Sequence, residues 1–256
     1  MTTARIITDP TERRAVWFEI VLVFTITLGM SGLRSLISLL DDLLAPTPLK
    51  DQTATIVVPQ ARASTLDLLA QLLSVVSGIA WGTLGLYLLW RAGVNLRQRI
   101  GAVPSWRDVL PGLGLAALIG IPGLGLYLLA QSVGANLTVA PTALNDTWWR
   151  VPVLILQAFE NGFLEEFLVL GYLITRLSQL GLRWPAIVAI SAVLRGSYHL
   201  YQGFGGFVGN VAMGIVFAIA FLRWHRVWPM IIAHTTINIV AFVGYPLLHG
   251  RVSWLP

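Results

Sequence analysis

Apolar residues run along this chain in long blocks, without the strict alternation of a half-buried strand. Seven blocks, at 16–40, 66–90, 109–133, 149–173, 184–202, 207–224 and 228–248, approach the length of about twenty residues that an α-helix needs to cross roughly 30 Å of hydrocarbon. The pattern predicts an all-α fold, a polytopic membrane bundle of about seven to eight transmembrane helices. An eighth short or re-entrant piece fits near either end. The first block is long enough to tilt, and its tail at 36–44, with Asp41 and Asp42, suits the membrane interface. Residues 46–63 are polar and rich in Pro and Thr, so they read as an extended loop. Residues 1–147 are expected to form a three-span N-terminal membrane region, and 148–250 the membrane core that carries the chemistry. The first apolar run exceeds a signal-peptide core and no small-residue cleavage site follows it, so it reads as a retained anchor. No internal repeat is evident, which argues against an inverted-repeat transporter.

Composition narrows the class. The chain has 256 residues, 56% hydrophobic and only 11% charged, and its mean hydropathy is +0.74. Ordinary globular domains carry roughly 25% charged residues. A soluble globular domain, a disordered chain and a nucleic-acid-binding domain are excluded, and the expected partner is membrane lipid. The net charge of +5 comes from Arg residues in the gaps between apolar blocks, where it meets an anionic membrane surface. With no Cys, thiolate zinc sites, disulfides and a cysteine nucleophile are ruled out. One side of the membrane would hold Arg5, Arg13, Arg14, Arg91, Arg97, Arg99, Arg107, Arg176, Arg183, Arg223 and Arg226. The other would hold Lys50, Arg62, Arg150 and Arg251. Eleven against four places the N-terminus in the cytoplasm, and an odd span count places the C-terminus outside. Trp17, Trp90, Trp148, Trp149, Trp184, Trp224 and Trp228 fall near block ends, as interfacial anchors do. Sixteen Arg against one Lys resembles the usage of a high-GC bacterium, which points to a bacterial plasma membrane.

Ionisable residues inside a membrane are costly and mark function by default. Here they cluster late in the chain: Glu160, Glu165 and Glu166 in the fourth block, Arg195 and His199 in the fifth, His234 and Asn238 in the seventh. Arg195 and His199, like His234 and Asn238, are four residues apart and are expected to share a helix face. At about 1.5 Å per residue, Glu165 lies roughly 16 Å from Arg176, Arg195 roughly 16 Å from Trp184, and His199 roughly 22 Å from Trp184. His234 and Asn238 lie roughly 10 and 16 Å from Val227. The groups therefore share a layer near mid-membrane, and one buried polar site is expected if the helices are neighbours. A carboxylate beside an imidazole can deprotonate a water. A second imidazole and an amide can donate to an oxyanion. Glu165, His199 and His234 could equally hold zinc or another divalent metal with one open position. Either arrangement hydrolyses an amide or ester.

Glu165-Glu166, a His on the next block, and His234-x-x-x-Asn238 resemble the CAAX prenyl endopeptidase and bacteriocin-processing (CPBP, or Abi) family of intramembrane proteases. That family's pattern is Glu-Glu-x-x-x-Arg, Phe-x-x-x-His and His-x-x-x-(Asn/Asp), and the likeness runs over about 148–245. The resemblance implies an endopeptidase acting on a membrane-associated, sometimes lipidated, peptide or protein. It implies that Glu165 activates the water, Glu166 supports it, His199 partners the water, and His234 with Asn238 stabilises the oxyanion. Older family names say metalloprotease, while the family view with better support is glutamate-dependent and needs no cofactor. Two positions depart. Leu170 stands where the family has Arg, and Arg195 where it has Phe. A buried charge needs a partner, so Arg195 is expected to replace the missing Arg by pairing with Glu166. A site that has drifted into a non-catalytic immunity or scaffold role is the main rival, and a transporter the weaker one.

Plainer readings stand beside these. The two Glu could staple helices, and each His could be a hydrogen-bonded core residue. Glu160 and Asn161 match no motif position and read as cavity lining. His225 and His249 read as solvated, Arg34 as lining the bundle or snorkelling, and Tyr198, Tyr201 and Gln202 as packing or substrate contact. Gly78, Gly82, Gly120, Gly125, Gly205 and Gly209 read as close helix packing.

Overall fold

The computed structural model describes residues 6–244 and Leu247. His249, Arg251 and the end of the seventh block lie outside the described residues. Helix α1, Pro10–Ile26, opens with Pro10 in its first turn and with the Asp9 side chain accepting from the Glu12 amide at 2.7 Å. At Thr27 the helix breaks, with φ −127° and ψ −125°. The Thr27 hydroxyl turns back onto the Val23 carbonyl at 2.6 Å. Helix α2, Leu28–Leu44, then leaves at 51° to α1. The first block is thus a bent pair, and a hydropathy window does not see the break. Arg34 is exposed on α2.

The loop at 46–63 is more ordered than its composition predicts. It contains strand β1, Thr53–Val57, which pairs in parallel with β2, Thr138–Thr142, with Thr53 opposite Thr138 and Val57 opposite Thr142. The fold is all-α, as expected, with one small two-stranded parallel pairing added to the helical bundle. Both strands are built largely from Thr, Val, Ile and Ala. The partners lie 85 residues apart in register, and no local periodicity reports such a pairing.

Between the strands run α3, Ser64–Arg91, the short α4, Leu96–Arg99, and α5, Val109–Ser132, which is entered through a single 3₁₀ turn at Trp106–Asp108. After β2 comes α6, Arg150–Glu165. It continues as a π-helix over Glu166–Ile174 and ends in α7, Thr175–Gln179. Helix α8 is Trp184–Ser197, followed by a 3₁₀ turn at Leu200–Gln202; α9 is Phe204–Trp224. Helix α10, Trp228–Ile239, passes into a π-helix at Val240–Gly244.

Among the described residues, three helical stretches are long and apolar enough to cross a membrane: Ser64–Arg91, Trp106–Ser132 and Phe204–Trp224. The bent α1–α2 pair makes a fourth if it counts as one span. The expected seven to eight spans are not found by that criterion, and the reason is physical. Helices α8 and α10 have 14 and 12 residues. The apolar run at 166–174 owes its hydrophobicity to burial in protein, since every residue of that π-helix is buried.

This central helix is clasped by others at glycines. Gly78, Gly82 and Gly85 of α3 face Glu160, Phe163 with Leu164, and Leu168 with Tyr172. Gly162 of α6 faces Thr235 and Ile231 of α10, while Gly214 of α9 lies against Ala192 of α8. Missing side chains let the backbones approach. A side chain at Gly125 would meet open space among the described residues, so close packing does not require that glycine. Two ion pairs tie the ends. Arg176 grips Glu19 of α1 through Nε and Nη2 at 2.9 and 3.0 Å, and the Tyr172 hydroxyl donates to the same carboxylate at 2.7 Å. Arg226 holds Asp108 with two 2.6 Å bonds.

Candidate functional site

Glu165 and Glu166 sit where α6 turns into the π-helix. Consecutive α-helical residues point about 100° apart, and the wider π turn brings both carboxylates towards α8. Single-turn π segments occur often at functional sites.

Arg195, wholly buried on α8, is the hub. Its Nη2 donates to both oxygens of Glu166 at 2.7 Å, and its Nη1 donates to Glu165 Oε2 at 3.1 Å. The guanidinium also lies over the Phe217 ring of α9, 5.7 Å from the centroid. Arg195 thus reaches Glu166 from the neighbouring helix, and Leu170 is fully buried among apolar neighbours. His234 Nδ1 lies 2.8 Å from Glu166 Oε1. A carboxylate only accepts, so Nδ1 carries the proton in that contact. Both oxygens of Glu166 are therefore engaged. Glu165 is engaged on one side only: Oε2 accepts from Arg195 and, at 2.7 Å, from the Tyr198 hydroxyl. Its Oε1 has no hydrogen bond among the described residues.

His199 is placed differently from the sequence expectation. Helix α8 ends at Ser197, so His199 falls in the link before the 3₁₀ turn, with φ −108° and ψ 5°. Arg195 and His199 do not share a helix face. The helix stops because Gly203, at φ +102°, must redirect the chain into α9. His199 stays within electrostatic reach of Glu165, Arg195 and His234. Its Nε2 is buried without a partner, while its Nδ1 lies 3.5 Å from the Gln202 amide nitrogen. A donor at Nδ1 favours the tautomer with hydrogen on Nε2.

Asn238 lies one helical turn beyond His234 on α10, half-buried, and no hydrogen bond joins it to the other four among the described residues. The structure therefore gathers Glu165, Glu166, Arg195, His199 and His234, with Asn238 at the margin. Sequence reasoning underrated Tyr198, whose signal was adjacency to His199, and did not see Phe217.

A metal ion does not fit these residues. Among the described residues no group of three or more His, Asp or Glu side chains is placed to hold one. Glu165, His199 and His234, the set left open for zinc, share their space with the Arg195 guanidinium, which repels a cation. A cleft of about 760 Å³ lined by Trp106, Arg107, Arg223 and Arg226 contains none of the site residues.

No curated protein and no solved structure gives a significant match to the chain. A family model does match, and it covers all the residues of this polar cluster. Over residues 147–240 the chain matches the model of the family described as type II CAAX prenyl endopeptidase Rce1-like.

Proposed function

We propose that this protein is an intramembrane endopeptidase that hydrolyses a peptide bond of a membrane-associated peptide or protein. The observation that carries the reading is the asymmetry of the two carboxylates: Glu166 is engaged at both oxygens by Arg195 and His234, while Oε1 of Glu165 accepts no hydrogen bond among the described residues. A carboxylate with one fixed and one free oxygen is oriented to accept a proton from water. In this reading Arg195 and Tyr198 hold Oε2, a water sits on Oε1, and the water's oxygen attacks the scissile carbonyl as its proton passes to Glu165. The Nε2–H of His199 and Asn238 donate to the developing oxyanion. Glu165 then returns the proton to the leaving amine. No cofactor enters these steps. His234 positions Glu166, which departs from a direct oxyanion role.

The test is cleavage of a panel of membrane peptides by purified protein. Glu165→Gln is expected to remove at least about 10² of the rate, the low end of general-base contributions. Asn238→Ala is expected to lower it by about 10²–10³. Full activity in Glu165→Gln overturns the assignment. One observation favours a second reading. Arg195 touches Glu165 as well as Glu166, and a guanidinium that satisfies both carboxylates suits a non-catalytic scaffold. An inert wild type with intact folding supports that reading. The Arg distribution supports an N-terminus in the cytoplasm.

A further inference from the structure

Hydrolysis consumes water, and Glu165 lies deep inside the bundle. A line of polar side chains runs along the contact of α3 and α6 towards it. At the loop end Gln60 is exposed. Its amide N–H donates to Asp67 Oδ1 at 2.8 Å, and its side chain donates to Gln71 Oε1 at 3.2 Å. Gln71 Nε2 donates to Asp67 at 3.1 Å, and Gln157 Nε2 crosses from α6 to Gln71 Oε1 at 2.7 Å. Asp67, Gln71 and Gln157 are only 4%, 0% and 8% exposed. Next along α6 is Glu160, whose carboxylate fills the space beside Gly78 that a larger residue would occupy. Five residues on, about 7.5 Å along the helix, is Glu165.

A helix staple accounts for Asp67, Gln71 and the amide of Gln157. It does not account for the rest. Among the described residues, Gln157 Oε1 is buried with no hydrogen-bond partner and Glu160 makes no hydrogen bond or ion pair. Buried polar atoms left by protein partners are satisfied by internal water. On α3, positions 67, 71 and 78 are four and eleven apart, which places them on one face. We infer that this line is a hydrated file, admitting water at the loop end of α3 and delivering it past Gln157 and Glu160 to Glu165. Its endpoint rests on the peptidase reading above, whereas its openness to water does not.

The absence of Cys makes the test direct, because any introduced Cys is a unique thiol. Gln157→Cys and Glu160→Cys, each reconstituted in lipid nanodiscs and shown monodisperse, are treated with a charged, membrane-impermeant thiol reagent. The control is Leu73→Cys, between Gln71 and Gly78 on α3 but 67% exposed on the apolar surface. The thiolate is the reactive species and forms only where water reaches it, so both file variants are expected to react about tenfold faster than the control. Reaction of both at the control's rate overturns the file, whatever the protein's activity. Delivery is read separately. Gln157→Leu is expected to lower kcat about tenfold with KM unchanged, and Gln157→Asn to restore most of it. An unchanged kcat in Gln157→Leu overturns the delivery role. A wild type that cleaves nothing removes the peptidase reading while the labelling result still decides the file.

Discussion

An arginine at the centre of a helix bundle costs from about 3 to more than 10 kcal/mol on different scales unless it is paired. Arg195 meets that cost with two carboxylates and an aromatic face. Removing it strands Glu166, which is wholly buried. Arg195→Phe is therefore expected to lose about 3–5 kcal/mol of stability, read by denaturant unfolding in detergent. The double change Leu170→Arg with Arg195→Phe should recover part of that loss; no recovery shows that the packed pocket at Leu170 cannot host the charge. Tyr198→Phe tests a single bond. The hydroxyl donates to Glu165 Oε2 at 2.7 Å, and hydrogen bonds to charged groups contribute about 1.5–3 kcal/mol. The variant should fold normally and cleave more slowly. Equal rates would show that Arg195 alone orients Glu165.

At the scale of elements, the decisive feature is where α8 ends. Its link to α9 is held from outside. Leu137 N–H donates to the Gln202 carbonyl at 3.1 Å, Phe204 N–H to Ala135 at 3.0 Å, and Gly206 N–H to Asn136 Oδ1 at 3.1 Å. The Tyr201 amide donates to Ser35 of α2 at 2.7 Å. Gly203, with φ +102° and ψ −176°, occupies backbone space essentially closed to other residues and packs against Asn136. Gly203→Ala is expected to cost about 1–3 kcal/mol and to displace His199, so thermal stability and cleavage should fall together. An unaffected variant would mean that the turn does not set the position of His199.

Across the whole molecule, the first helix is anchored to the far end of the central one by Glu19 and Arg176. Arg176 is 3% exposed, so Glu19→Ala leaves a buried cation that, among the described residues, keeps the Gln179 side chain, the Leu88 carbonyl and the Tyr172 ring face. A loss of about 3 kcal/mol is expected, near the low end for breaking a buried pair, together with proteolytic sensitivity around α1. Glu19→Gln keeps one acceptor oxygen for Arg176 and Tyr172 and should lose less. If both variants match the wild type in unfolding, the N-terminal helix is held by apolar packing alone.

Membrane character was fixed by composition and block length, because 11% charged residues cannot clothe a soluble surface of this size. The residues of the buried polar cluster were legible for the same reason: in an apolar chain a Glu-Glu pair and two His stand out. Even the pairing of Arg195 with Glu166 followed from the sequence, since a buried charge demands a counter-charge and only a few were within reach. Three things needed the tertiary structure. Hydropathy does not distinguish lipid from a protein interior, so the burial of Glu166–Ile174 inside the bundle, within the apolar block at 149–173, was not readable from the sequence. Helix ends depend on long-range hydrogen bonds, so the departure of His199 from α8 is set by Ala135, Asn136 and Leu137 gripping the turn and is not readable locally. And which oxygen of Glu165 stays free is a matter of ångströms between helices, decided by Arg195 and Tyr198 converging on Oε2.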